Sequence, residues 1–294
     1  MPIFRKKKDN VTAGTIAIGC GGGGCNIANR LGMISGTEIL TVNTDRKGLV
    51  RSRSDMRILL GNGSIEEGCG GDVELGRSLT RDASVMIGDS MKGHLNAVIL
   101  VGLGGGTGTG AAEVIAEQAK KNGSRVIVIA TMPMSFESER RRIAADSLKK
   151  IMRSCDILVM IDSDRLAEID PMIGAREAFS VLDQMVCESF SGLMGMLEGS
   201  DGASAYQLMK GRMFTVSFAD GMNVEKVANA LANGLMASAS VISRPLIFVR
   251  GNIPQNGSEG TISKTISKRM GEEPAFIQGP EGRGMDLVLF APIG

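Results

Sequence analysis

Residues 104–110 read Gly104-Gly105-Gly106-Thr107-Gly108-Thr109-Gly110. Immediately before them, residues 97–103 (AVILVGL) form an unbroken apolar run, and residues 111–121 follow with helical spacing. A continuous apolar run of this length suits a strand buried on both faces, the mark of a parallel sheet. Glycine at this density costs backbone entropy, and a phosphate-binding loop is one structure that needs it. Main-chain N–H groups converge on an anion only where no Cβ intervenes, and the helix that follows adds positive potential. Thr107 and Thr109 can supply hydroxyl donors to the same anion.

Upstream, the same grammar recurs. Residues 15–19 form a β-rich run, a helix starts at 26–31, and between them lies Gly19-Cys20-Gly21-Gly22-Gly23-Gly24-Cys25-Asn26. Residues 38–43, 125–131 and 157–161 add three further strand candidates with helical stretches among them. Strand–helix alternation of this kind predicts an α/β domain with a Rossmann-like parallel sheet. A single long helix is predicted over about 174–197, with apolar residues at 178, 179, 182, 185, 186, 190 and 193. Beyond 202 the texture changes: strands at 212–218, 246–249 and 287–290, with helices near 224–239 and 258–270, predict a smaller α+β domain. The expected partition is 1–173, a central helix at 174–198, and 199–294.

The whole-chain properties narrow the function. The 294 residues suffice for two ordinary cores, and a net charge of +1 gives no bulk attraction to nucleic acid or acidic lipid. A basic run at residues 5–8 reads as a solvated terminus. No apolar run approaches the ~20 residues that span a bilayer. The five cysteines, with no signal peptide ahead of them, read as reduced cytosolic thiols, and the expected compartment is the cytoplasm. Cys20 and Cys25 read as small packing residues. One histidine, His94, excludes a histidine-rich metal site, and no metal ligand set is expected.

The first glycine loop fits G-x-G-x-x-G at Gly19, Gly21 and Gly24, and Asp45 follows about 20 residues on, so a dinucleotide-binding oxidoreductase is a genuine rival. Against it, such a site needs one phosphate loop and this chain has two. The remainder also offers no obvious hydride-transfer site.

The ordered motifs resemble the tubulin/FtsZ superfamily along most of the chain, and the run at 104–110 is similar to its signature. The resemblance implies the family fold and a guanine nucleotide, GTP or GDP, as ligand. It places Gly21, Gly22, Gly23 and Gly24 on the phosphates with Asn26 toward the guanine. Asp45 falls in the second loop, and Gly71, within Gly70-Gly71-Asp72, in the loop that senses the γ-phosphate, where 61–71 is otherwise rewritten. The segment 133–142 (PMSFESERRR) is similar to the ribose loop, with Glu137 on the ribose and Arg141 near base and phosphates; Ser138 stands where the family has glycine. Phe179 and Asp183, four apart on the long helix, match residues that stack on and read the guanine. A carboxylate accepts from both N1–H and the 2-amino group of guanine, and adenine offers no such pair; an aromatic face one turn away holds the ring. Taken without the loops, that pair reads as an ordinary amphipathic helix. Ser163-Asp164-Arg165 sits where the family has Asn-Asp-Lys, which weakens one base or ribose contact.

Family members hydrolyse GTP between subunits of a head-to-tail filament, using a loop of the form Asn-x-Asp-x-x-Asp. Here that region reads Gly199-Ser200-Asp201-Gly202-Ala203-Ser204. A hydroxyl does not replace a carboxylate as acid or base. The resemblance therefore implies slow or absent hydrolysis, with Asp201 or Glu198 as substitute catalytic acids in an active alternative. Mg²⁺ is expected from the triphosphate alone. Nothing after residue 294 corresponds to the family's partner-binding tail, so recruitment through one is not expected.

Overall fold

The computed structural model describes residues 14–63, 68–169, 172–237, 239–254, 257–282 and 284–294; the basic run at 5–8 lies outside them. The elements are β1 (Thr15–Cys20), α1 (Gly21–Ile34), β2 (Glu38–Asn43), α2 (Arg46–Arg51), β3 (Met56–Leu59), α3 (Val73–Asp82), α4 (Ser84–Met91), β4 (Asn96–Gly102), α5 (Gly106–Lys121), β5 (Arg125–Met132) and α6 (Ser138–Ser154). They continue with β6 (Ile157–Asp162), α7 (Asp164–Ile169), α8 (Ala175–Glu198), α9 (Gly202–Met209), β7 (Arg212–Gly221), α10 (Val224–Asn233), β8 (Leu246–Gly251), α11 (Ser258–Met270), β9 (Ala275–Gln278) and β10 (Met285–Ile293). The chain forms two compact units: the first is Met1–Leu158 with Gly174–Cys187, the second Val159–Ile173 with Glu188–Gly294. This division runs through β6 and α8.

In the first unit the strand order is β3-β2-β1-β4-β5, every neighbour parallel. β1 lies between β2 and β4, and all six of its residues are buried. β4 is buried from Asn96 to Val101, which is why its sequence is apolar without alternation. From β1 the chain builds outward through β2 to β3; from β4 it builds the other way to β5. The boundary between β1 and β4 is therefore a topological switch point, where open α/β sheets place ligands beyond the carboxyl ends of the strands. Both glycine loops leave the carboxyl ends of these two strands.

The second unit orders its strands β7-β10-β8-β9, with β10 antiparallel to β7 and β8, and β8 parallel to β9. One face of this sheet alternates Ile247, Val249, Met285, Leu287 and Leu289 against Val227, Leu231, Ile262 and Ile266 of α10 and α11. On α8, a Cβ on Gly195 would stand 2.4 Å from Phe248 Cζ, and one on Gly192 would stand 3.1 Å from Val288 Cγ1. Side-chain-free positions at i and i+3 thus let this half of α8 lie close on β8 and β10.

Sequence expectation and structure differ at several ends. Helices expected at 26–31 and 111–121 begin at Gly21 and Gly106, inside the glycine loops. The helix expected to reach 239 stops at Asn233, because Gly234 caps it and Met236 turns away to bond Val216. The long helix lies over Ala175–Glu198, one residue from expectation. β3, α2, α3, α4, α7, α9 and β9 went unread; all are short or lack a clean apolar period.

Candidate nucleotide-binding site

The two glycine loops touch. A Cβ on Gly21, whose φ is +66°, would stand 2.6 Å from Gly108 N, and one on Gly108 would stand 2.8 Å from Cys20 O. Only bare main chain permits this approach. The helices α1 and α5 consequently start side by side. Neither has a side-chain N-cap, and neither has an acidic residue in its first turn. By contrast, α2 and α3 are capped by Asp45, which accepts from Gly48 N at 3.0 Å, and Asp72, which accepts from Leu75 N at 2.9 Å. Two adjacent helix N-termini whose first-turn amides carry no capping side chain form a site suited to a polyanion.

The glycines fall into two groups. A Cβ on Gly24 would lie 2.2 Å from Leu100 O, and one on Gly106 would lie 2.7 Å from Asp72 O, so these positions are closed by packing. Around Gly22 and Gly105 a Cβ would meet nothing within 4 Å. The space in front of those two is open, as a phosphate chain requires, and the donor set consists of neutral N–H groups that suit it.

Further segments converge on the same point. Thr107 Oγ1 lies 2.8 Å from Thr44 Oγ1 and donates to Cys69 Sγ at 3.3 Å, joining the second glycine loop to residues that follow β2 and to the segment before α3. Thr109, expected as a donor to the anion, is buried, and its hydroxyl accepts from Gly104 N at 3.0 Å. It shapes the loop. Gly70 and Gly71 are exposed at positive φ, with nothing within 4 Å of either Cβ position. Gly104, at φ +90°, lies against the turn that carries Glu137 and Arg141: its Cβ would stand 2.6 Å from Arg140 O. Glu137 pairs with Arg140, and Arg141 donates to the carbonyl of Pro133.

On α8, Ala178, Leu182 and Val186 are buried, whereas Phe179 is 61% exposed. An ordinary amphipathic helix would turn its one aromatic in this segment inward; here it stands off the buried stripe. Asp183, one turn later, is half-buried. Burial pushes its carboxyl above the usual carboxylate range, and the charge of Arg30 opposes that rise. Arg30 also donates to the carbonyl and hydroxyl of Ser180, each at 3.2 Å, which fastens this part of α8 to α1. Asn26 is exposed on the first turns of α1. Burial raises the Cys20 thiol well above its ordinary value, with neighbouring Cys25 adding to it, and raises Cys25 to about 12. Both thiols stay protonated and serve as packing.

A model of the Tubulin/FtsZ family, GTPase domain, matches residues 15–171, more than half of the chain. The chain belongs to the tubulin/FtsZ family. Among sequence relatives, it is 32% identical over 198 residues to cell division protein FtsZ 1 of Pyrococcus abyssi, covering 66% of this chain and 53% of that one. It is 34% identical over 181 residues to cell division protein FtsZ 2 of Methanocaldococcus jannaschii, covering 60% and 48%. The chain thus spans about half the length of these relatives. Among solved structures, FtsZ of M. jannaschii superposes with a TM-score of 0.83 at 26% identity, covering 97% of this chain and 89% of that one. CetZ2 of Haloferax volcanii gives 0.82 at 20% identity over 95% and 92%, a likeness of fold.

The two expected substitute catalytic acids belong to the second unit. Asp201, exposed, precedes α9, and Glu198, exposed, ends α8. The expected catalytic loop is shorter than its six-residue reading, since Gly202 to Ser204 are the first turn of α9. Arg165 also lies in the second unit, where its Nε donates to Leu235 O at 2.9 Å. Sequence reasoning missed Thr44 and Arg30. Thr44 lies inside the quoted Asn-Thr-Asp motif, but only the fold brings its hydroxyl to Thr107. No sequence signal ties Arg30 to Ser180, 150 residues away. Among the described residues no helix is long and apolar enough to cross a membrane.

Proposed function

We propose that this chain is a cytoplasmic, FtsZ-like cytoskeletal or cell-division protein that binds GTP and GDP. In this reading the paired first turns of α1 and α5 (Gly21 to Gly24; Gly104 to Gly106, with Thr107 and Gly108) hold the phosphates. Thr109 keeps the second loop in shape. Asp183 accepts from the guanine edge while the exposed ring of Phe179 covers the base. Asn26 approaches the base and Glu137 the ribose, which requires Glu137 to exchange its Arg140 partner. Arg141, Asp45 and Gly71 complete the rim, and Mg²⁺ accompanies the triphosphate. The single observation that carries this is the contact of two uncapped glycine loops at the β1/β4 switch point. A dinucleotide oxidoreductase has no use for the second loop.

The partner in this reading is a second copy of the chain, stacked head to tail; such heterologous contacts extend into filaments when the rotation does not close. Hydrolysis is slow or absent. The segment offered to a neighbour carries Asp201 and then Ser204 on a helix, with no second carboxylate at the expected spacing. Losing an acid or base commonly costs ~10²–10⁴ in rate. An active GTPase using Asp201 or Glu198, both exposed, is the second reading.

Two measurements test this. Nucleotide released by acid from protein purified without additions should elute as guanine nucleotide; adenine or nicotinamide compounds there would overturn the binding claim. Phosphate release from GTP, followed over a protein concentration series, should stay near background. Turnover per subunit that climbs with concentration would establish the second reading instead.

A further inference from the structure

Within the second unit, α7, the end of α10, the segment after it and the end of α11 enclose a cavity of about 490 Å³. Pockets of this size accommodate small organic ligands. Its charged lining among the described residues is cationic. Arg165 and Arg269 face it, and among the described residues no aspartate or glutamate does. The two arginines are not equivalent. Arg165 is fixed: its guanidinium donates to Leu235 O at 2.9 Å and Asn233 O at 3.4 Å and pairs with Glu168. Arg269 is exposed and makes no hydrogen bond or ion pair with a described residue. Beside Leu235, Val241 and Met270, the lining holds three small side chains, Ala232, Ala237 and Ala239, which leave volume that a leucine would fill.

We propose that this cavity is a second ligand site, independent of the nucleotide loops, for a small organic anion: a carboxylate or phosphate monoester carrying a compact apolar group. Arg269 supplies the free guanidinium fork, which matches the two oxygens of such an anion. Arg165, held by main-chain carbonyls and by Glu168, forms a fixed polar wall, so the anion contact falls to Arg269. The alanine wall receives the apolar part.

The probe is phenyl phosphate, with inorganic phosphate alongside, added to the full chain in excess GDP and followed by saturation-transfer NMR. Phenyl phosphate is expected to bind, at least ten-fold tighter than inorganic phosphate. Arg269→Gln should weaken it about ten-fold or more, the loss of a charge-assisted contact. Ala239→Leu should abolish it by filling the space. Urea midpoints should stay those of the parent, since Arg269 is exposed and Ala239 is only half-buried. No saturation transfer to the parent protein at millimolar probe, or binding that both variants leave unchanged, overturns the site. Equal binding of inorganic phosphate and phenyl phosphate overturns the apolar half of the recognition.

Discussion

Two glycines two residues apart in one helix turn should respond to one added methyl group in opposite ways. Gly24 and Gly22 both lie in the first turn of α1. A Cβ on Gly24 would stand 2.2 Å from Leu100 O, a buried main-chain atom of β4 that has no room to retreat. Gly24→Ala must push α1 off the sheet, and overpacking of this kind costs about 1–3 kcal/mol. A Cβ on Gly22 meets no protein atom within 4 Å. Gly22→Ala should leave stability unchanged or raise it by up to about 0.5–1 kcal/mol, the glycine-to-alanine gain in a helix. That methyl would stand in the space assigned to phosphate. Displacing one charge-assisted N–H contact costs about 1.5–3 kcal/mol, so GTP should bind roughly 10- to 150-fold more weakly. Urea denaturation gives the first quantity and calorimetric titration with GTP the second. A stable Gly22→Ala protein that binds GTP as the parent does would refute the reasoning, because the open side of α1 would then not face the ligand.

Asp183→Asn should weaken GTP about 100-fold while leaving ATP unaffected, if the carboxylate accepts two donors of the guanine edge at about 1.5 kcal/mol each; competition titration reads the ratio. The same carboxyl has a folded-state pKa raised by burial, so the folded form takes up a proton more readily than the unfolded one. Stability without ligand should therefore fall as pH rises from the ordinary aspartate value through the raised one, and Asp183→Asn should flatten that slope in urea midpoints measured from pH 3 to 7. Gly195→Ala, whose methyl would stand 2.4 Å from Phe248 Cζ, should destabilise the chain by about 1–3 kcal/mol; an unchanged midpoint would contradict the close packing of α8. Ser204→Asp tests the hydrolysis reading: phosphate release that rises with protein concentration in this variant and not in the parent supports a missing carboxylate, and equal release in both contradicts it.

The parallel sheet of the first unit was legible because strands buried on both faces spell themselves as apolar runs; 97–103 and 125–131 needed no partner to be read. The glycine loops were legible as bare main chain following two strands, but not as helix starts. Helix propensity rates glycine poorly, and here contacts between Gly21 and Gly108 and between Gly106 and Asp72 override it. β3 and β9 are four residues each, too short for a period to show. In the site, Asp183 and Phe179 could be named from spacing, but whether Phe179 joined the core was a question of which face α8 buries, and only packing answers that. Arg30 and Thr44 act through partners 150 and 63 residues away, contacts no local pattern encodes.

The most direct measurement is a competition titration. A fluorescent GTP analogue bound to the purified chain is displaced by GTP, ATP and NAD in turn. Displacement by GTP at concentrations at least 100-fold below those needed for ATP or NAD is the expected result. Equal potency of the three, or an analogue that never binds, would contradict a guanine-nucleotide site built from the two touching glycine loops.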